Sequence, residues 1–268
     1  MKTFILVNIL FPFLFLFSGS ATAQDATFNV PPADVMKRRE VFLQHENQFS
    51  ERFGLFTDIA RVGIGHNTEV NLILSGIGTN NVANEVLNVG LKTAIPLHKE
   101  SNTKLTLGHL IPVSLRGNGV GGDSFVLVST QLPKIKTRIS SGVRVGTTTL
   151  FGRDIVSYIA AVQHPLTKRI DLLVDWHSGR HINGLLIAGF LYKFSPSFSA
   201  TFGYQIPNSK YINRNIIDDG FVIKVTKVFS FYIITLIKSW RTGFRLLCER
   251  DKNDVSHLVN AHFLAKVA

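Results

Sequence analysis

The sequence predicts an all-β protein, an antiparallel transmembrane β-barrel of about 12 strands with a C-terminal extension. Three observations support this fold class. The chain begins with an export signal, its middle part alternates apolar and polar residues with period 2, and the connections between predicted strands alternate between short and long. Together they indicate a chain that leaves the cytoplasm and crosses a membrane with strands rather than helices.

The first residues form a three-part secretory signal. Met1-Lys2 is a short positive start, residues 4–17 are a run of mainly Phe, Leu and Ile, and Ala21-Thr22-Ala23 is an A-x-A cleavage pattern. A membrane anchor would need roughly 20 apolar residues, and this run is shorter. We therefore expect a signal peptide over residues 1–23, export from the cytoplasm of a Gram-negative bacterium, and a location in the outer membrane.

The composition is typical of an exported barrel. The 268 residues are 45% hydrophobic and include 21 Phe, 21 Gly and one cysteine, Cys248. One cysteine cannot form an intrachain disulfide, which excludes a disulfide-built secreted domain. The net charge is +11. Export argues against nucleic acid as a partner, so we expect this charge to meet outer-membrane lipid headgroups or to attract anions into a lumen.

Turn residues divide the mature chain into regions. Pro31-Pro32 prevents helix formation and strand pairing, so residues 24–39 are predicted to be a periplasmic lead-in. Residues 40–229 are predicted to form the barrel. The predicted strands are near 40–50, 54–66, 69–79, 84–97, 103–116, 123–133, 136–148, 155–164, 168–178, 183–194, 197–206 and 219–229. Ten or 14 strands are the alternatives.

Period-2 alternation shows that the predicted strands have two different faces. In one of them Leu172, Val174 and Trp176 alternate with Asp171 and Asp175. A soluble β-sandwich would show the same period and remains an alternative. The polar faces, however, carry small residues and isolated charges, as a lumen requires. Aromatic residues near strand ends also match the girdles of a membrane barrel, namely Trp176, Tyr204, Phe221 and Phe229.

The connections indicate how the barrel is oriented. Those after even-numbered strands are short, around 66–68, 98–102, 133–135, 165–167 and 195–196. Most of those after odd-numbered strands are longer, including 79–83, 117–123, 149–154 and 207–218. Bacterial barrels have short periplasmic turns and longer external loops. Both ends of the barrel chain are therefore predicted to lie in the periplasm.

The last predicted strand ends at Phe229 and is similar to the C-terminal strand by which outer-membrane proteins are recognised for assembly. This resemblance implies the barrel-assembly machinery as a partner. Residues 230–268 have a different character, with Cys248 and a charged stretch over 249–254. They are predicted to be a tail of unknown role, either a periplasmic extension or the product of a shifted reading frame.

The polar faces supply candidate pore-lining residues. They are Lys92, Arg138, Arg144, Arg169, Asp171, Asp175, His177 and Lys224. Charged rings of this kind set the ion selectivity of a pore. We expect a narrow channel for passive diffusion of small hydrophilic solutes with a mild anion preference. The alternative is a filled, non-conducting structural or docking barrel in which the same charges form buried pairs.

Enzyme and metal sites are weighed against this expectation. His177 and Ser178 suggest an outer-membrane esterase or phospholipase, but adjacent strand residues point to opposite faces. Asp171, Asp175 and His177 share a face, yet alternate residues lie roughly 7 Å apart along a strand, which strains a single-strand metal site. We therefore expect no catalytic residues, no metal and no cofactor.

Three short motifs carry a resemblance to a family. They are Asn29-Val30-Pro31-Pro32-Ala33-Asp34-Val35, Asp175-Trp176-His177-Ser178-Gly179 and Gly203-Tyr204-Gln205-Ile206-Pro207-Asn208. In this order the chain resembles a family of uncharacterised bacterial outer-membrane, porin-like transporter barrels. The resemblance covers most of the mature chain without the tail. It implies passive transport and carries over no catalytic residues.

Overall fold

The structure, a computed structural model, describes residues 27–51, 54–78, 85–115, 120–151, 154–181, 183–209 and 218–230. The predicted signal peptide and the tail from residue 231 onward lie outside these residues. Within the described part, no helix is long and apolar enough to cross a membrane.

Twelve antiparallel strands close into one barrel, in which each strand pairs with its neighbours in sequence and β12 pairs with β1. The strands are β1 (Glu40–Ser50), β2 (Gly54–Gly65), β3 (Thr68–Gly78), β4 (Val86–His98), β5 (Thr103–Ser114), β6 (Asp123–Gln131), β7 (Arg138–Gly146), β8 (Val156–Pro165), β9 (Ile170–His177), β10 (Leu185–Ser195), β11 (Phe198–Pro207) and β12 (Gly220–Ser230). A short helix, α1 (Thr148–Phe151), lies between β7 and β8. The predicted fold class and strand number are confirmed.

Closure depends on the pairing of the first and last strands. Their register runs without a shift from Glu40 opposite Ser230 to Ser50 opposite Gly220. Because this ladder is complete, every strand has two neighbours and the sheet has no free edge. A closed sheet can sit in hydrocarbon, where an unpaired backbone group would cost several kcal/mol.

The two ends of the barrel differ in their connections. At the turn end, where β1 begins and β12 ends, the connections are 66–67, 99–102, 132–137, 166–169 and 196–197. At the loop end they are 51–53, 79–85, 115–122, 147–155, 178–184 and 208–219. The two-residue turn His66-Asn67 has φ values of 52° and 54°, as a type I′ hairpin requires.

The outer wall is an apolar band with aromatic side chains at both ends. Exposed residues of this band include Leu91, Ile95, Val126, Val128, Leu172, Val174 and Phe190. Aromatic side chains at the loop end are Phe49, Tyr158, Trp176, Tyr204 and Phe221, and those at the turn end are Tyr192, Phe194 and Phe198. Polar exceptions bond to each other, as in the His109–Ser124 contact of 2.7 Å. This surface is that of a transmembrane barrel.

The alternation of faces makes a prediction for β9. Val174 points outward near the middle of the strand, between the inward-facing Leu173 and Asp175. Val174→Arg should lower the free energy of unfolding by about 2–4 kcal/mol, because it places a charge in the hydrocarbon. Urea titration of the protein folded in lipid vesicles measures this. Leu166→Arg, in an exposed turn, is the control and should change little; equal losses in both variants would contradict the assignment of the lipid face.

Candidate functional site

The barrel encloses a lumen whose wall is rich in buried polar and charged side chains. Alternate residues of each strand face it, and they belong to the polar faces that the sequence predicts. Charged members that are at most 5% exposed are Glu46, Glu69, Lys92, Asp123, Asp171, Asp175 and Lys224. In a barrel of this size such charges must meet either water or a partner.

That partner is the N-terminal segment of the same chain, defined here as residues 28–36. The sequence predicts a periplasmic lead-in over 24–39, but residues 28–36 instead lie inside the lumen, and the chain reaches the rim of the turn end at the exposed residues 37–39. Phe28, Val30, Ala33 and Met36 are each at most 5% exposed. The physical reason is that this extended segment satisfies the polar wall and also buries its own apolar side chains.

Asp175 holds the far end of the segment. One of its carboxylate oxygens accepts hydrogen bonds from three consecutive backbone N–H groups, those of Phe28 at 2.7 Å, Asn29 at 2.9 Å and Val30 at 3.0 Å. Successive N–H groups that converge on one anion form a nest. Hydrogen bonds to a charged acceptor contribute roughly 1.5–3 kcal/mol each, so this contact is a strong part of the attachment of the segment.

Two buried lysines bind the carbonyl groups of the segment. Lys92 donates to the carbonyls of Pro32, at 3.0 Å, and Asp34, at 2.6 Å. Lys224 donates to the carbonyl of Phe28. Each lysine is also paired with a wall carboxylate, Lys92 with Glu69 at 3.0 Å and Lys224 with Glu46 at 2.6 Å. The lysines therefore connect the segment to the wall without leaving an uncompensated charge.

Further wall groups bind the backbone of the segment. Glu69 accepts a bond from the Met36 N–H at 2.7 Å, and the Thr106 hydroxyl donates to the Ala33 carbonyl at 2.9 Å. Pro31 and Pro32 have no N–H to satisfy. The same Pro-Pro pair that prevents strand pairing thus also reduces the number of donors that an extended chain carries into a closed lumen.

The apolar side chains of the segment form the centres of three interior clusters. Phe28 packs against Leu173, Leu185, Ile187, Leu191 and Val222. Val30 and Ala33 pack with Phe125, Leu127, Ile159 and Ala161, and Met36 packs with Phe42 and Val228. Gly203 makes room for Phe28, because a Cβ at this position would approach the Phe28 ring to 2.5 Å. Without the segment, each cluster would face a void.

Asp34 meets two basic residues near the turn end. Its carboxylate pairs with Lys104 and accepts a bond from Arg138 at 3.1 Å. Both bases come from the first residues of their strands, β5 and β7. The carboxylate that neutralises them belongs to the segment and not to the wall.

At the loop end, Arg144 is bound within the wall itself. Its Nε donates to both oxygens of Asp123, at 2.8 and 3.0 Å. Its guanidinium lies 5.5 Å from the centre of the Phe151 ring, which in turn is 4.5 Å from the ring of His181. Burial lowers the pKa of the loop residue His181, and the Arg144 charge lowers it further. This ion pair, unlike those of Asp34, joins two residues of the wall.

The remaining predicted site residues are separated in the structure. Asp171 binds Lys193 at 2.8 Å and Gln163 at 2.8 Å, whereas Asp175 binds the segment, so these carboxylates do not converge. Arg169 does not line the lumen; it lies in the exposed turn before β9, one residue outside the strand. A side chain in an exposed turn can reach water, so its charge does not need to point into the lumen.

His177 and Ser178 point to opposite sides, as strand geometry requires. His177 is fully buried in the lumen wall, and the Ser178 hydroxyl oxygen accepts a bond from the Tyr158 N–H at 2.7 Å. The hydroxyl is thus used by the neighbouring strand. The structure does not bring the two together as a nucleophile and its base.

Sequence reasoning missed the acidic half of the lumen. Glu46 and Glu69 lie in predicted strands whose two faces were not assigned, and Asp34 belongs to the predicted lead-in. None was therefore recognised as facing Lys224, Lys92 or Arg138. One signal was available. The segment is rich in apolar residues, which is unusual for a stretch that is predicted to lie in water.

Two solved structures with a similar fold are porins. A KdgM porin in complex with disordered oligogalacturonate has a TM-score of 0.51 and 7% sequence identity, over 72% of this chain and 99% of that chain. A NanC porin has a TM-score of 0.50 and 10% identity, over 72% and 100%. The chain has a porin-like outer-membrane β-barrel fold. No protein-family model matches this sequence, and no curated protein does either.

The contact of Asp175 with the segment makes a prediction for this porin-like barrel. Asp175→Asn removes the charge that three N–H groups share. In this variant, a cysteine introduced as Val30→Cys, with Cys248→Ser, should react with a membrane-impermeant maleimide about tenfold faster or more. The reason is that a loss of about 1.4 kcal/mol in the attachment of the segment raises the population of the withdrawn segment tenfold. The rate of labelling measures this.

Asp171→Asn is the matched control for this experiment. It removes a lumen carboxylate from the same strand and face, but Asp171 binds Lys193 and Gln163 rather than the segment. Labelling at position 30 should stay slow in this variant. Equal acceleration by both variants would show that general loosening of β9, and not release of the segment, exposes the cysteine.

Proposed function

We propose that the chain is an outer-membrane, porin-like channel whose lumen is closed by its own N-terminal segment and which passes small hydrophilic solutes when the segment withdraws. One observation carries this proposal. The segment is held by hydrogen bonds and ion pairs from inward-facing side chains, most of all by the three bonds to Asp175, and it contributes no strand to the barrel.

The arrangement favours a removable plug over a permanent core. All of the strand pairs of the barrel form without the segment, so its departure breaks no ladder. The wall that it covers is charged, and burying charges is an expensive way to build a fixed core. After withdrawal, Lys92 and Lys224 still have Glu69 and Glu46 as partners. The open wall would therefore be a stable hydrated surface.

Withdrawal would also create a charge preference. Lys104 and Arg138 are paired with Asp34, which leaves together with the segment, whereas Arg144 keeps Asp123 on the wall. Two positively charged side chains near the turn end would then lose the Asp34 carboxylate and line the open lumen. Basic residues in a narrow lumen raise the local concentration of anions. This is the basis for proposing a mild anion preference in the open channel.

The solved neighbours support a channel. Two of them are porins, and the KdgM porin holds an oligogalacturonate, a sugar chain that bears carboxylates. A solute of this kind is compatible with an open lumen that carries Lys104 and Arg138. We propose small anionic or neutral hydrophilic compounds as solutes and passive diffusion as the mode of transport.

Deletion of residues 27–36 from the mature chain tests the gate. The protein with the segment in place should insert into planar bilayers and remain closed most of the time. The deletion variant should show discrete current steps, because nothing then fills the space between the three interior clusters. Asp175→Asn should show intermediate behaviour, with more frequent openings than the intact chain.

A silent deletion variant would decide against the channel. If it inserts and keeps the heat-modifiable migration of a folded barrel but passes no current, the lumen is closed by its own wall. The protein would then be the filled structural or docking barrel that the paired charges also allow.

The charge preference has a separate test in the deletion variant. Lys104→Glu together with Arg138→Glu should move the reversal potential under a salt gradient from anion-favouring toward cation-favouring, because the reversed charges line the open lumen. Lys227→Glu, on the outward face of β12, makes the same kind of change away from the lumen and should have no effect. A similar shift in both variants would show that Lys104 and Arg138 do not set the ion selectivity.

A further inference from the structure

The turns at the turn end carry a set of exposed basic residues, here named the basic collar. It consists of Lys99, Lys134, Lys136, Lys168 and Arg169, which lie in the turns 99–102, 132–137 and 166–169. The same three turns contain one acidic residue, Glu100. The collar is therefore a strongly positive surface outside the lumen, and the channel proposal does not use it.

The charges of the collar differ from those of the lumen in forming no ion pair with a described carboxylate. Lumen bases such as Lys92, Arg144 and Lys224 are in ion pairs, whereas no described carboxylate lies within ion-pair distance of a collar residue.

Exposed apolar side chains stand beside the collar cations. Leu97 precedes Lys99 and is 57% exposed, Ile135 lies between Lys134 and Lys136 and is 54% exposed, and Leu166 precedes Lys168. The turn-end aromatic residues, Phe194 among them, lie on the outer wall at the same end. Such aromatic side chains mark the boundary between hydrocarbon and headgroups. The collar therefore lies at the level of the headgroups.

We propose that the basic collar binds the anionic headgroups of phospholipids in the membrane leaflet at the turn end. Leucine and isoleucine interleaved with lysine suit a surface that is part apolar and part anionic, because the apolar side chains enter the acyl boundary while the ammonium groups meet phosphate. An acidic protein partner would leave these apolar side chains in water. The inference needs a barrel in a bilayer but does not depend on conduction.

Native mass spectrometry of the mature chain, residues 24–268, tests this. The refolded protein is titrated in detergent with phosphatidylglycerol or with phosphatidylcholine. The unmodified protein should bind phosphatidylglycerol about tenfold more tightly at low salt, since several cations contribute together, and 0.5 M NaCl should abolish the difference. In a collar variant with Lys134→Gln, Lys136→Gln, Lys168→Gln and Arg169→Gln, the two lipids should bind equally.

Two controls separate charge from folding. Replacing the same four residues with the charge-preserving Lys134→Arg, Lys136→Arg, Lys168→Arg and Arg169→Lys should keep the preference. Arg180→Gln removes a charge at the loop end and should also keep it. Heat-modifiable migration confirms that each variant is a folded barrel.

Several results would overturn the proposal. One is a preference for phosphatidylglycerol that survives in the collar variant, and another is the lack of any preference in the unmodified protein. Collar-dependent binding of soluble polyglutamate, with no preference between the lipids, would instead assign the collar to an acidic protein. If glycerol phosphate binds as tightly as the lipid, the collar is a site for free phosphate anions and not for lipids. None of these results depends on whether the deletion variant conducts.

Discussion

The structure depends on one constraint, the need to satisfy an extended backbone inside a closed lumen. Residues 28–36 enter a space where each unpaired polar group is costly. Asp175 accepts the N–H groups at one end of the segment, and Lys92 and Lys224 donate to its carbonyls. The two lysines are themselves paired with Glu69 and Glu46. The segment thus joins polar groups from several strands of the wall, and its apolar side chains belong to three interior clusters.

The barrel could be predicted from sequence because its signal is local. Alternation in each strand, short turns and long loops lie within a few residues of one another, and they gave the number of strands and the face of Lys92, Asp171, Asp175 and Lys224. The contacts inside the lumen, by contrast, join residues that are far apart in the sequence. Period 2 shows which side chains point inward but not what they meet, and Asp175 meets residues 145–147 positions away along the chain.

The three motifs that carry the family resemblance come together in the structure. Asn29 and Val30 of the first motif bind Asp175 of the second. Gly203 of the third leaves space for Phe28, next to the first motif, and Asn208 donates to the His177 carbonyl at 2.6 Å. Their shared chemistry is thus the attachment of the segment to the wall. The separate prediction for Arg169 failed for a simpler reason. The strand β9 starts at Ile170 and not near 168, which leaves Arg169 in the exposed turn before it.

The bond between Lys224 and Phe28 spans 196 residues of sequence. Loop-closure entropy must be overcome before such a contact forms, and proteins with many distant contacts fold slowly. Lys224 belongs to β12, the last strand made, and this strand closes the barrel against β1. The segment in the lumen is therefore among the last parts of the barrel to reach its final place, so a late, slow phase of folding is built into this topology.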